Sequence, residues 1–266
     1  MQNAARDKFD LRTLMRAQLE AASVALEWPK PADAVHRCRT ALKRVRALAR
    51  LAQIAEPGLA GQMIARIRPI MQGFGDIRDL DALEACARRM SESLTGDVRG
   101  TLRTVARKIG TQRKGMDPPP IAETAKEVRA LIQLMDAWPP LRARALEAGA
   151  RRLKRRADRA YEDAMDARSR EARHQWRKRE KERLYCVLLL GDNWPKKLPR
   201  KRRLGQALGE TLGQEREVLM LIERLSGEPM LAGAPDDADR ALAALMKAHA
   251  KLRKRADALG KRLHRA

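Results

Sequence analysis

The sequence contains few aromatic residues, few cysteines and no long hydrophobic run. Its 266 residues include only four Trp, two Tyr and two Phe, too few for a protein that works mainly by stacking exposed bases. No apolar run approaches the roughly 18–20 residues of a membrane-spanning helix, and the N-terminal residues lack a signal-peptide segment. Cys38, Cys86 and Cys186 have neither metal-type spacing nor an even count for disulfides. We therefore expect no membrane insertion and a location in the reducing cytoplasm.

Positive charge is what the sequence has in excess. It contains 57 Lys and Arg against 34 Asp and Glu, a formal net charge of +23. Of these cations 41 are Arg, whose planar guanidinium group suits phosphate oxygens. Hydrophobic residues make up 44% of the chain, enough for a folded core. The composition predicts a folded protein whose partners are polyanions.

Ala, Leu, Arg and Glu dominate the sequence and β-branched residues are sparse, which favours helix almost everywhere. Proline and glycine divide the chain into segments, and Pro69 with Gly73 and Gly75 predicts a kink or break inside the third of them. No strand-type alternation is visible, so the predicted fold class is all-α. The predicted helices are residues 8–27, 32–55, 59–91, 96–114, 122–136, 141–165, 169–190, 200–225 and 236–263.

One long duplication is visible in the sequence. A pattern of His, a cation three residues later and Lys four after that recurs at an offset of 138 residues, and the same offset relates a glycine–arginine–acid element farther on. The matching pairs are His36 and His174, Arg39 and Arg177, Lys43 and Lys181, Gly75 and Gly213, Arg78 and Arg216, and Asp79 and Glu217. The His and Gly matches are hard to attribute to an arginine-rich composition. We predict a single domain of two four-helix bundles, 8–116 and 141–264, joined by a connector at 117–140 and related by a pseudo-two-fold axis.

A basic stripe runs along the first copy of the repeat. Helical periodicity places on one face His36, Arg39, Lys43, Arg46 and Arg50. The second copy repeats the stripe with His174, Arg177 and Lys181. A basic run on a helix is usually a solvated face, but two matching copies beside the apolar face favour a groove that binds an anion. Protonated His36 and His174 would hold an anion more tightly, so we expect tighter binding as the pH falls toward about 6.

These motifs resemble the CHAD family, the conserved-histidine α-helical domain, in its stand-alone form. The stretches 35–46, 174–185 and 75–81 are similar to its motifs, with Glu217 standing where the second glycine–arginine element has Asp. The resemblance covers about residues 8–263. It implies two four-helix bundles around a basic central groove or pore that binds inorganic polyphosphate without a cofactor, and it leaves association with polyphosphate granules open. The groove residues implied are His36, Arg39, Lys43, Arg44, Arg46, Arg78, His174, Arg177, Lys181, Arg183 and Arg216.

Two other functions would use the same residues. Non-specific nucleic-acid binding is the alternative, although the sequence has no helix-turn-helix or zinc pattern. An enzyme could accept a phosphoryl group on a histidine, but no P-loop and no carboxylate cluster for Mg²⁺ is present. Asp76 and Asp79 are better explained as helix-start and ion-pair residues. We predict a non-enzymatic polyphosphate-binding protein without a metal.

The C-terminal segment carries a further run of positive charge. Its cations are Lys251, Arg253, Lys254, Arg255, Lys261 and Arg262. The sequence does not separate a second anion site from a solvated helix face, and we favour the solvated face.

Overall fold

The computed structural model describes residues 8–167 and 169–264, and the prediction of an all-helical protein is confirmed. None of the described helices combines the length and the apolar character needed to cross a bilayer. In chain order the helices are α1 (Leu11–Leu26), α2 (Pro31–Ala52), α3 (Pro57–Gly73), α4 (Gly75–Ser93), α5 (Asp97–Lys114), α6 (Ile121–Leu134), α7 (Ala143–Asp166), α8 (Arg170–Leu190), α9 (Arg202–Gly227) and α10 (Pro235–His264). Short 3₁₀ turns lie at Met135–Ala137, Gly191–Asn193 and Pro229–Ala232.

The third predicted helix is divided into two. Helix α3 ends at Gly73 and α4 begins at Gly75, while Phe74 between them is fully buried. Glycine weakens a helix because it loses more backbone freedom than other residues on folding. The repeat counterpart α9 runs through Gly213 without a break. The first half of the sequence therefore has five helices where four were predicted, and the second half has four.

One pair of short strands was not expected from the sequence. β1 (Lys8–Phe9) pairs antiparallel with β2 (Leu141–Arg142), with Lys8 opposite Arg142. Two residues are too few to show the alternation that marks a strand. The pair joins the segment before α1 to the segment before α7.

The helices form two compact units that do not follow the two sequence halves. Unit 1 comprises Met1–Phe74 and Pro119–Gly205, and unit 2 comprises Gly75–Pro118 and Gln206–Ala266. Unit 1 therefore combines α1 and α2 with their repeat counterparts α7 and α8, together with α3 and α6. Unit 2 combines α4 and α5 with α10 and most of α9. The prediction that each half forms its own four-helix bundle is not confirmed, because each unit takes corresponding helices from both halves.

Each unit has its own apolar core. Buried side chains in the core of unit 1 include Leu19, Leu42, Met63 and Trp138. Those in the core of unit 2 include Leu83, Leu102, Leu221 and Leu245. Burying one large aliphatic side chain contributes about 1.5–3 kcal/mol, so each core supports the helices that carry the polar side chains described below.

The three cysteines are buried and free. Burial raises the pKa of Cys38 to about 12 and that of Cys86 to about 11, and it raises the pKa of the Cys186 thiol as well. Because the thiolate is the reactive form, these cysteines act as small apolar core residues.

Candidate functional site

Helix α2 packs against several other helices of unit 1 and turns its basic residues toward different surroundings. Pro31 lies at its start, and Val35, Leu42 and Leu48 are among its buried apolar residues. The helix contacts α1, α3, α7 and α8. Because it has neighbours on several sides, the predicted stripe is not one uniform surface.

The beginning of the stripe faces α1. His36 and Arg44 line a recess of about 640 Å³ together with Trp28. Arg44 donates a hydrogen bond to the Gln18 side-chain oxygen at 3.2 Å. The Arg37 guanidinium carbon lies 4.0 Å from the centroid of the Trp28 ring, a cation–π contact. His36 itself is exposed.

Two of the predicted binding residues are buried and contact other parts of unit 1. Arg39 donates a hydrogen bond to the Met71 carbonyl oxygen in the last turn of α3, where carbonyls lack partners within the helix. The Arg183 Nε donates to a Glu180 carboxylate oxygen at 3.2 Å. These contacts support the packing of the helices, and a direct role of either arginine in binding stays a prediction.

The end of α2 faces α7 and α8, and cations from all three helices meet there. The six side chains, termed the basic cluster, are Arg46 and Arg50 of α2, Arg152 and Arg156 of α7, and Lys178 and Arg179 of α8.

The side chains of the basic cluster lie close enough together to lower one another's pKa values. Burial, followed by repulsion from four other members of the basic cluster, lowers the pKa of Arg50 to about 10. Burial and then repulsion from three neighbouring guanidinium groups lower the pKa of Lys178. The pKa values of Arg156 and Arg179 are lowered by the same two causes, burial first. Each positive charge therefore makes its neighbours harder to protonate.

Carboxylates offset part of this charge. Glu182 contacts Arg50 and lies 3.1 Å from the Nη1 atom of Arg179. Arg152 donates to the neutral Gln53 side chain at 3.2 Å. The Arg46 Nε is buried and has no hydrogen-bond acceptor among the residues that the structure describes. An anion with several oxygens would supply both an acceptor for Arg46 and the missing negative charge.

Tyr185 connects basic residues of the two repeat copies. Burial raises the pKa of this phenol, and the nearby Arg44, Arg177 and Arg46 act to lower it. Arg44 and Arg46 of α2 and Arg177 of α8 therefore lie around the same side chain. The other predicted residues on these two helices, half-buried in unit 1, are Lys43, His174 and Lys181.

The remaining predicted residues, Arg78 and Arg216, belong to unit 2. Arg78 pairs with the adjacent Asp79 at 2.6 Å. Arg216 lines a recess of about 630 Å³ that Asp79 also lines. Glu217, the repeat counterpart of Asp79, pairs with Arg89 at 2.9 Å. Over the described ranges 8–167 and 169–264, no three His, Cys, Asp or Glu side chains come together in a group that could hold a metal ion.

Of the basic cluster, Arg46 was among the predicted groove residues, and Arg50 was on the predicted stripe without being assigned to the groove. The repeat could not reveal the other members, because the positions related to the cluster by the offset of 138 hold no cations. These positions are Leu14, Gln18, Thr40, Ala41, Leu184 and Leu188. A usable signal was present on α7, where Arg152 and Arg156 lie one turn apart beside the buried Leu153 and Ala157.

Comparison with curated proteins finds no matching relative. The sequence does match the family model of the CHAD domain over residues 11–226. The matched region runs from the start of α1 almost to the end of α9 and includes all three helices of the basic cluster. It covers most of the chain, and this protein therefore belongs to the CHAD family.

Proposed function

We propose that this protein binds inorganic polyphosphate at the basic cluster of unit 1, without catalysing a reaction on it. The CHAD family is associated with polyphosphate binding. The observation that carries the proposal is the grouping of six cations from three helices. Burial and then repulsion from neighbouring cations lower the pKa values of four of them, and Glu182 contacts only two of the six. A bound polyanion relieves this repulsion, and the relief adds to the affinity.

The chemistry of the cluster suits a chain of phosphates. Guanidinium groups donate charge-assisted hydrogen bonds to non-bridging phosphate oxygens, which are stronger than neutral hydrogen bonds. Binding also releases counterions from the polyanion, by analogy with nucleic acids. Because the cations come from three helices, successive phosphates of one chain can each contact a different helix.

Burial favours polyphosphate over nucleic acid. Arg46, Arg50 and Arg179 are half-buried, so their charged groups are reached more easily by a thin, flexible chain than by a rigid duplex. Non-specific nucleic-acid binding through exposed cations is the alternative outcome of the test below.

The test compares two double variants of the full chain. Arg152→Gln/Arg156→Gln removes two cations of the basic cluster that lie one turn apart on α7. The matched control, Arg103→Gln/Arg107→Gln, removes two exposed cations with the same spacing on α5 of unit 2. We expect long-chain polyphosphate to bind about a hundredfold more weakly to the first variant and almost unchanged to the second, with circular dichroism checking that both are folded.

A competition measurement separates polyphosphate from nucleic acid. Polyphosphate is bound at near-physiological salt, and duplex DNA is added at equal phosphate charge. Retention of polyphosphate supports the proposal, and its displacement makes nucleic acid the leading partner. Equal weakening in the two double variants would show that the net charge acts generically and would contradict the assignment to the basic cluster.

A further inference from the structure

Unit 2 contains a groove of about 780 Å³ between α4, α9 and α10. Its lining is largely apolar and includes Met90, Leu94, Val218, Ala248 and Leu252. Helix α10 lies beyond residue 226, where the match to the CHAD family ends. The polyphosphate proposal uses none of these residues, so the groove requires a separate explanation.

The α10 wall of the groove carries an ordered row of cations. Lys247, Lys251 and Arg255 follow one another at steps of four residues, line the groove and are exposed. The row spans about 12 Å, since an α-helix rises about 1.5 Å per residue. None of the three forms an ion pair with any other residue that the structure describes, and no Asp or Glu is among the lining residues.

The apolar lining and the row of three cations together show which kind of anionic ligand fits this groove best. A pure polyanion would use the cations but leave the apolar floor exposed to water. A fatty acid would cover the floor, but its single carboxylate could meet only one of three cations placed a turn apart. An amphipathic helix satisfies both features, because its apolar face fills the groove while acidic residues at steps of four match the row.

The lining also allows a helix to approach closely. Ala243, Ala244 and Ala248 of α10 face the groove, and small side chains at a contact shorten the distance between helix axes. We propose that the groove between α4, α9 and α10 binds an amphipathic helix of a partner protein, whose acidic residues pair with Lys247, Lys251 and Arg255. The C-terminal basic segment then has a binding role that the solvated-face interpretation did not give it.

The probe is a set of four synthetic helical peptides of about 14 residues with one composition. Leucines occupy one face of each, and the glutamates are moved one position around the helix from peptide to peptide. Binding to the full chain is followed by fluorescence anisotropy. We expect saturable binding that is tightest when the glutamates flank the leucine face at steps of four.

Charge reversal identifies the cations that the peptide contacts. Lys247→Glu/Lys251→Glu should weaken the best peptide by about tenfold or more. The matched control Lys254→Glu/Lys261→Glu makes the same charge change at exposed α10 positions outside the groove lining and should have little effect. A peptide with lysines in place of the glutamates should recover binding to the first variant, which a merely misfolded variant could not show.

Several outcomes would overturn the proposal. They are equal binding of all four peptides, equal loss in the two charge-reversal variants, or no saturable binding of any peptide. Conversion of a dimer into monomers by the groove variant, with no peptide binding, would assign the groove to a second copy of the chain. The polyphosphate proposal stands or falls separately, because its test and its control change residues of α7 and α5 that do not line the groove.

Discussion

Unit 1 and unit 2 are both built from arginine-rich amphipathic helices, but they surround their cations differently. In unit 1, burial and then repulsion from neighbouring cations lower the pKa values of the half-buried Arg50 and Lys178. In unit 2, Arg113 lies 3.1 Å from Asp81 and 3.3 Å from Glu84, and Arg89 pairs with Glu217. At these positions, cations outnumber the acids beside them in unit 1, whereas the arginines of unit 2 are paired with acids.

This difference shows that an excess of basic residues forms a binding site only where cations are held together without enough acids beside them. Exposed ion pairs contribute little to stability, and arginines already paired with acids leave little to be gained from an added anion. Cations that their neighbouring helices hold together and partly desolvate have an unfavourable interaction that an anion relieves. The net charge of +23 predicts an anionic partner, but the local excess of positive over negative charge predicts where that partner binds.

Removing one carboxylate from each unit tests the comparison most directly. Glu182→Gln takes away the buried acid that contacts Arg50 and Arg179, and we expect it to lower the free energy of unfolding by about 3 kcal/mol. The counterpart Glu84→Gln in unit 2 should cost less than about 1 kcal/mol. Both values come from urea denaturation of the full chain.

Added polyphosphate should separate the two carboxylate variants further. It should stabilise both variants by binding their folded state, but it should recover a larger part of the loss in Glu182→Gln than in Glu84→Gln, because there the ligand also replaces the missing negative charge. Equal losses of stability in the two variants, or no recovery of stability in Glu182→Gln, would show that the acids of the two units do not differ in this way.

Replacing either of two helical glycines by alanine should change the stability by a smaller amount. A Cβ added at Gly149 of α7 would overlap the Leu51 carbonyl oxygen of α2, whereas a Cβ at Gly100 of α5 meets no atom within 4 Å. We expect Gly149→Ala to destabilise the protein by about 2 kcal/mol, and Gly100→Ala to stabilise it by about 0.5–1 kcal/mol through helix propensity.

Thermal unfolding followed by circular dichroism measures both glycine variants. The Gly149→Ala variant should also bind polyphosphate more weakly, because α2 and α7 carry four of the six cluster cations. A stabilising Gly149→Ala change would show that the two helices can separate at no cost to the fold.

The smallest predicted effect is on the pH dependence of stability. Lys178 has a lowered pKa in the folded protein, so between that value and its ordinary pKa the unfolded chain binds more protons. Stability gained from this group therefore rises with pH in that window, which lies below the ordinary lysine value of about 10.4. The corresponding window for Arg50 lies above its lowered pKa of about 10 and below the ordinary arginine value.

Denaturation at several pH values from about 8.5 to about 10.5 measures this rise. Lys178→Met should reduce it, and the matched change Lys247→Met in unit 2 should leave it intact. Polyphosphate affinity of the unchanged protein should fall over the same interval as the basic cluster loses charge. A rise that is identical in both variants would show that Lys178 does not contribute to it.

The sequence was sufficient to predict the helices and some of the basic residues that lie around Tyr185. Helix-forming composition and the proline and glycine positions predicted the helical segments, including a kink or break near Gly73 and Gly75, whereas the pair of two-residue strands was not predicted. The repeat predicted basic stripes on α2 and α8, and Arg46 and Arg177 of these stripes lie around Tyr185 together with Arg44, which only the family resemblance implied. Local preference and periodicity are properties of neighbouring residues, so they can be read without knowing the packing.

The basic cluster could not be predicted from local preference and periodicity. Arg50 and Arg156 are about a hundred residues apart in sequence and have no cationic counterparts at the repeat offset. Arg39 belongs to the predicted stripe but donates to the Met71 carbonyl instead of remaining on an open surface. Periodicity gives the face on which a residue lies, but it does not give the helix that packs against that face.

The amino-acid sequence alone thus specified an all-helical, duplicated, strongly basic chain of the CHAD family, because these features depend on composition, spacing and motif. Packing specified which cations repel, which are paired with acids and which line an apolar groove. These properties depend on distances of a few ångströms between side chains that lie far apart in the chain, since electrostatic interactions and desolvation change steeply over that range.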